Sequence, residues 1–109
     1  MTDNEKQSKI TSIIRTECKK QNYQLKKFVL FGSRAQGNAR PDSDWDFLVV
    51  LDKPISWKEK MMLWIPINRN LVEIGCTADI IIKYEKDFER DKTDTGKVTY
   101  YANKQGITV

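Results

Sequence analysis

Two groups of residues could carry out chemistry on a phosphate. The first is Gly32-Ser33-Arg34, which directly follows a short apolar run. A glycine at the end of a strand lets the backbone approach a ligand closely, and free N–H groups at the start of the next helical turn suit phosphate oxygens. The Ser33 hydroxyl adds a donor at the same point. This segment is a candidate phosphate cradle.

The second group is a pair of carboxylates, Asp44 and Asp46, at the start of another apolar run. Side chains alternate along a strand, so both project to one face, about 6 to 7 Å apart along the backbone. Two like charges this close raise the proton affinity of at least one carboxylate unless a cation intervenes. A hard divalent ion such as Mg²⁺ would keep both ionised.

A third carboxylate, Asp79, opens an isoleucine-rich run, where an unpaired charge is costly to bury. If the two runs are neighbouring strands, Asp79 joins the same ion or accepts a proton from the acceptor. Three carboxylates, a metal and a phosphate cradle together describe phosphoryl or nucleotidyl transfer, in which the protein mainly positions groups and neutralises charge.

Each feature taken alone also has a purely structural interpretation. Gly32-Ser33 is compatible with an ordinary turn, and the acidic pair with a loop or helix cap. Asp79 could pair with Lys83, and Arg34 could be a surface cation. Only the joint occurrence of these features at strand ends favours a functional site.

The elements that must position these residues form an α/β pattern around one small mixed sheet of about three strands, in one domain over residues 1–109. Pro66 interrupts the long central helix, so we expect a kink or restart there. A polar connection is expected over Glu85–Thr95. The predicted elements are a helix at Asp3–Asn22, a strand at Lys27–Phe31, a helical turn at Ser33–Gln36, a strand at Trp45–Leu51, a helix from Ser56 to Gly75, a strand at Ala78–Tyr84 and a helix at Gly96–Gln105.

Composition excludes several classes of chemistry. The chain has no histidine, which removes Ser-His-Asp triads, histidine acid–base catalysis and histidine-bound zinc. Cys18 and Cys76 do not form a Cys-x-x-Cys pair, so they are expected to be small buried hydrophobes. Any catalysis must use carboxylates, hydroxyls, lysines and arginines.

The net charge of +4 favours polyanionic partners without choosing among them. The lysine cluster has no interleaved aromatic residues, so we expect no direct nucleic-acid contact; its members are Lys19, Lys20, Lys26 and Lys27. Neither a membrane-spanning run nor a signal peptide is evident, and we expect a soluble, cytoplasmic protein.

These motifs resemble those of the minimal nucleotidyltransferase family, within the polymerase-beta-like superfamily. The similarity runs from about Phe28 to Tyr84, and the ending is similar to that family's closing helix and turn. The residues that carry it are Gly32-Ser33-Arg34-Ala35, Gly37, Ser43-Asp44-x-Asp46-Phe47, Asp79, Tyr100-Tyr101-Ala102 and Gly106-Ile107. Pro66 departs from the pattern, because the helix between the two acidic strands is usually uninterrupted.

The resemblance implies that Gly32 and Ser33, with Arg34 beside them, hold the triphosphate of ATP. It implies that Asp44 and Asp46 bind two Mg²⁺ ions and that Asp79 completes the triad and assists the attacking hydroxyl. It also implies a partner, a HEPN-domain toxin ribonuclease, which such domains counter as antitoxins by binding it and by transferring AMP to one of its tyrosines.

Larger antibiotic-modifying relatives carry a second domain for the acceptor, so we expect a partner molecule to complete the acceptor site here. Two alternatives remain open at this point. One is a non-catalytic antitoxin that neutralises its partner by occlusion. The other is transfer to a small hydroxylated antibiotic or to RNA ends.

Overall fold

The computed structural model, which describes residues 1–109, contains five helices and four strands. Capping boxes begin both long helices, Thr2 with Glu5 and Ser56 with Glu59. The elements are α1 (Asp3–Lys20), β1 (Leu25–Phe31), α2 (Ser33–Gln36), β2 (Trp45–Leu51), α3 (Trp57–Glu73), β3 (Ala78–Tyr84), α4 (Glu85–Asp91), α5 (Val98–Gln105) and β4 (Ile107–Thr108).

The strands form one mixed sheet in the order β3-β2-β1-β4. β2 and β3 are parallel, whereas β1 is antiparallel to both β2 and β4. The predicted α/β class and mixed sheet are confirmed, but the count of three strands is wrong. The fourth strand has only two residues, Ile107 and Thr108, which pair with Leu30 and Val29, and such a short segment has no periodicity to detect.

Helices cover both faces of the sheet. On one face, α1 and α3 contribute Ile10, Ile14, Leu63 and Ile67 to the larger buried cluster. On the other face, α4 and α5 contribute Phe88 and Ala102 to a smaller cluster with Val29, Leu48 and Val50. Because side chains alternate along β2, Asp46 lies on the same face as Leu48 and Val50.

Residues Glu85–Asp91 form helix α4, so the expected polar connection over Glu85–Thr95 is wrong in its first half. Among the residues of this short helix only Phe88 and Asp91 are buried. One apolar anchor per helix gives no amphipathic repeat, which explains why the pattern indicated a connection.

Helix α3 runs through Pro66 without restarting. Proline has no N–H to donate to the carbonyl four residues earlier, which is that of Met62. The Gln21 side chain, just after α1, donates to this carbonyl instead, at 2.9 Å from Nε2 to O. A residue 41 positions away therefore satisfies the group that the proline leaves free.

Asp91 is a buried carboxylate, 2% exposed, at the end of α4. It accepts from Lys83 Nζ at 2.8 Å and from Arg90 Nε at 3.1 Å, and Lys97 Nζ lies 3.8 Å away. The hydrogen bonds from Lys83 and Arg90 lower the pKa of Asp91 to about 2. This ion cluster joins α4 to β3.

We expect Asp91 to contribute stability that depends on pH. Because its folded pKa lies below the ordinary value, the contribution is complete above about pH 4 and is lost as the pH falls towards 2. Asp91→Asn should lower the midpoint of thermal unfolding at pH 7. It should also make this midpoint less dependent on pH between about pH 4 and pH 2. Glu89→Gln, which removes an exposed ion pair with Lys92, is the control and should change little. Equal effects of the two variants would contradict the prediction.

None of the helices combines the length and apolar character needed to cross a lipid bilayer.

Candidate active site

Gly32 makes the turn from β1 into α2 with a backbone conformation that other residues rarely adopt. Its φ of 74° and ψ of −158° fall in a region populated essentially by glycine. A Cβ atom here would overlap Oδ2 of Asp46. The first N–H groups of a helix have no intrahelical acceptor, so the Ser33 and Arg34 amides lie at this turn as potential donors to an anion. The cradle and the carboxylate strand are thus in direct contact.

The sheet register brings the second and third carboxylates together. Asp46 and Asp79 are direct partners in the parallel pairing of β2 with β3. Paired residues on neighbouring strands project to the same face, with backbones about 4.8 Å apart. Asp79 therefore lies on the same side of the sheet as Asp46, the carboxylate that contacts the Gly32 turn.

Asp44 lies just before β2 and is exposed. Its Oδ1 accepts a hydrogen bond of 2.6 Å from the Thr77 hydroxyl, and the Trp45 N–H donates to the Thr77 carbonyl at 3.1 Å. Thr77 is a site residue that the sequence analysis missed. Its position directly before β3 was a usable signal, because Asp44 likewise lies directly before β2, the neighbouring parallel strand.

Negative charge at this site has no cationic partner within the chain. None of the three carboxylates forms an ion pair; Lys83, the suggested partner of Asp79, binds Asp91 instead. Burial, followed by the charges of Asp79 and Asp44, raises the pKa of Asp46. The structural explanation of Asp79 as a lysine partner therefore does not hold.

A divalent cation fits this donor set by chemistry, since all three side chains offer carboxylate oxygens and their mutual repulsion is uncompensated. The side chains as they stand do not, however, form a ready-made group of three or more metal-binding residues. Asp44, Asp46 and Asp79 are the residues that would hold Mg²⁺.

Arg34 contributes to the site through the loop that leads into β2. Its guanidinium stacks on the Trp45 ring, 4.5 Å from the centroid, and donates to the carbonyls of Ser43 and Pro41. It also lies 3.4 Å from Asp3, and only 5% of its side chain is exposed. Arg34 is therefore not a free surface cation; it fixes the Ser43 backbone immediately before the first carboxylate.

One relative is similar to part of this chain in sequence. The chain is 52% identical over 44 residues to the protein adenylyltransferase MntA of Aphanizomenon flos-aquae, a match that covers 40% of this chain and 26% of that relative. The matched segment thus spans about a quarter of the relative's length.

Solved structures share the fold. A toxin–antitoxin crystallised with AMP-PNP superposes with a TM-score of 0.61 at 16% identity, covering 89% of this chain and 69% of that one. A protein assigned as a nucleotidyltransferase from Sulfolobus solfataricus gives a TM-score of 0.57 at 22% identity, covering 92% and 76%.

The family model described as polymerase beta, nucleotidyltransferase, matches residues 9–105, which is most of the chain and includes all three carboxylates and the Gly32 turn. The resemblance noted in the sequence is confirmed, and the chain belongs to the polymerase beta-like nucleotidyltransferase family.

Proposed function

We propose that the chain transfers AMP from ATP to a hydroxyl of a partner protein, specifically a tyrosine of a HEPN-type toxin, and acts in the cytoplasm as the antitoxin of the pair. The observation that carries the proposal is the pairing of Asp46 with Asp79 directly beside the Gly32 turn. Support for adenylyl transfer comes from the relative named protein adenylyltransferase, and support for a toxin partner from the toxin–antitoxin structure of the same fold.

In the proposed reaction the acceptor oxygen attacks the α-phosphorus of ATP. The bond from that phosphorus to the bridging oxygen breaks, and pyrophosphate leaves with the electron pair. Asp79 accepts the proton of the acceptor hydroxyl and passes it to solvent, while the Gly32 turn and the Ser33 hydroxyl orient the triphosphate. Bound Mg²⁺ would supply neutralising charge for the phosphates.

Magnesium should stabilise the folded chain, because it would relieve repulsion among the three carboxylates. At about ten times its dissociation constant, an ion bound only to the folded state adds about 1.4 kcal/mol of stability. We expect Mg²⁺ to raise the unfolding midpoint of the wild type in differential scanning fluorimetry and to have little effect on Asp79→Asn. An equal rise in both proteins would indicate that this site does not hold the ion.

The proposed function is tested with α-labelled ATP, Mg²⁺ and the product of the adjacent gene. Wild type should label that protein, whereas Asp44→Asn should not, because the variant loses a metal-binding oxygen. Equal labelling by both proteins, or none by the wild type, would overturn the proposal.

A second function is supported by the toxin–antitoxin structure of the same fold, since the description of that structure names an assembly and not a reaction. On this alternative the chain is a non-catalytic antitoxin that occludes its partner. Asp46→Asn would then still neutralise the toxin in a growth assay, and loss of neutralisation would exclude this alternative.

A further inference from the structure

Strand β3 is an edge strand whose outer side is open. Its inner side pairs with β2 along the whole of Ala78–Tyr84, and no other strand lies beyond it. An exposed strand edge is a template for pairing with another chain, and proteins that leave edges unused usually protect them with charges, proline or bulges. The single lysine of β3, Lys83, is held by Asp91 instead. Apart from Asp79 at its start, the edge therefore has no free charge, proline or bulge along Ile80–Ile82.

A groove of about 640 Å³ follows this edge. We call it the β3 groove. Its lining is mostly apolar, with β3 as the floor, α3 on one side and the start of α5 on the other: Ile80–Lys83, Trp57, Met61, Trp64, Lys97 and Val98. Trp57 is 76% exposed and Val98 51% exposed, so large apolar surfaces stand at its rim. Clustered exposed hydrophobic residues of this kind mark interaction sites.

The groove also has a net positive rim. Lys60 lines it without an acidic partner, and Lys83 and Lys97 share the single carboxylate of Asp91. Its charge therefore complements an acidic occupant. Open backbone groups along β3 require a second set of backbone N–H and C=O groups, which a polypeptide offers and a nucleic acid does not.

The groove is continuous with the carboxylates, because its floor begins one residue after Asp79. In a pair of strands, directly opposite residues project to the same face, with backbones about 4.8 Å apart. A residue opposite Asp79 on an added strand would therefore direct its side chain towards the face that carries Asp46. A hydroxyl-bearing residue at that position meets the requirement for an acceptor.

We propose that the acceptor is an extended polypeptide segment with alternating apolar and acidic residues, which adds to the open edge of β3 and places its hydroxyl opposite Asp79. This inference rests on the proposed function, since it names how the acceptor of that reaction is held. The apolar residues would pack against the α3 tryptophans, and the acidic residues would face the lysines of the rim.

The test uses the full chain and synthetic peptides with one central tyrosine, serine or threonine flanked by alternating valine and glutamate. Binding should change tryptophan fluorescence, since Trp57 and Trp64 line the groove, and should slow hydrogen exchange of β3 amides. Trp57→Glu with Lys60→Glu should weaken binding by about tenfold or more, as expected for loss of an aromatic anchor. Lys58→Glu with Met62→Glu is the matched control, with the same change of charge on the same helix outside the groove.

Absence of peptide binding, binding without protection of β3, or equal weakening by the two double variants would overturn this inference. So would preferential binding of oligouridylate, or a dimer that the groove variant dissociates. Failure of the proposed function is distinguished by the readout. If the peptide protects β3 but no label is transferred, the docking surface is supported and the proposed reaction is refuted. If label is transferred to the partner protein equally well by the groove variant, the reaction is supported and the docking surface is refuted.

Discussion

Asp46→Asn is expected to reduce adenylyl transfer by about 100-fold to 1000-fold, the range seen when one group that stabilises transition-state charge is removed. Asp46 is the central carboxylate, since it touches the Gly32 turn and pairs with Asp79. Asparagine preserves its shape but loses the charge that would hold a cation. Transfer is measured as labelled acceptor per minute under single-turnover conditions.

The same variant should fold at least as stably as the wild type. Burial and the neighbouring carboxylates raise the pKa of Asp46, so ionising this carboxyl costs more free energy in the folded protein than in the unfolded chain. Removing this charge should leave the unfolding midpoint unchanged or raise it. Asp42→Asn, in the exposed loop before β2, is the control and should keep full transfer. Full activity of Asp46→Asn would contradict the assignment of Asp46 as a metal-binding residue.

Gly32→Ala is expected to reduce both activity and stability. Backbone strain at a conformation reserved for glycine costs about 1–3 kcal/mol, and the added methyl must displace the Asp46 carboxylate. Transfer should therefore fall together with the urea midpoint of unfolding.

Gly37→Ala provides the matched control for this change. Gly37 also has a positive φ, 75°, but no atom lies within 4 Å of the position that an added methyl group would take. The Gly37→Ala variant should lose about 1 kcal/mol of folding stability and retain adenylyl transfer. If Gly32→Ala kept full transfer, contact between the turn and Asp46 would not matter for catalysis.

Local patterns predicted the residues of the candidate site, because each lies at the end of an apolar strand. The run Trp45–Leu51 is buried at every position except Asp46, and such runs are readable from sequence. The sequence predicted that Asp79 lies near Asp46 only on the condition that their strands are neighbours, since the order of strands in a sheet depends on contacts distant in sequence.

What the sequence did not predict depends on long-range partners. Continuity of α3 through Pro66 requires the side chain of Gln21 from another helix. The position of Arg34 over Trp45 depends on how a loop folds back. Helix α4 depends on Phe88 reaching a sheet face that only the assembled strands create. None of these contacts leaves a periodic pattern.

The position of β2 has a consequence for motion. It is hydrogen-bonded to β1 on one side and to β3 on the other, and its apolar residues are all buried. Backbone amides in such a strand exchange with solvent only in the rarest openings, those that unfold the whole domain. The aspartate that β2 carries is therefore held on the most rigid part of the chain, and any adjustment to nucleotide or acceptor must come from the exposed loop before β2 and from the incoming molecules.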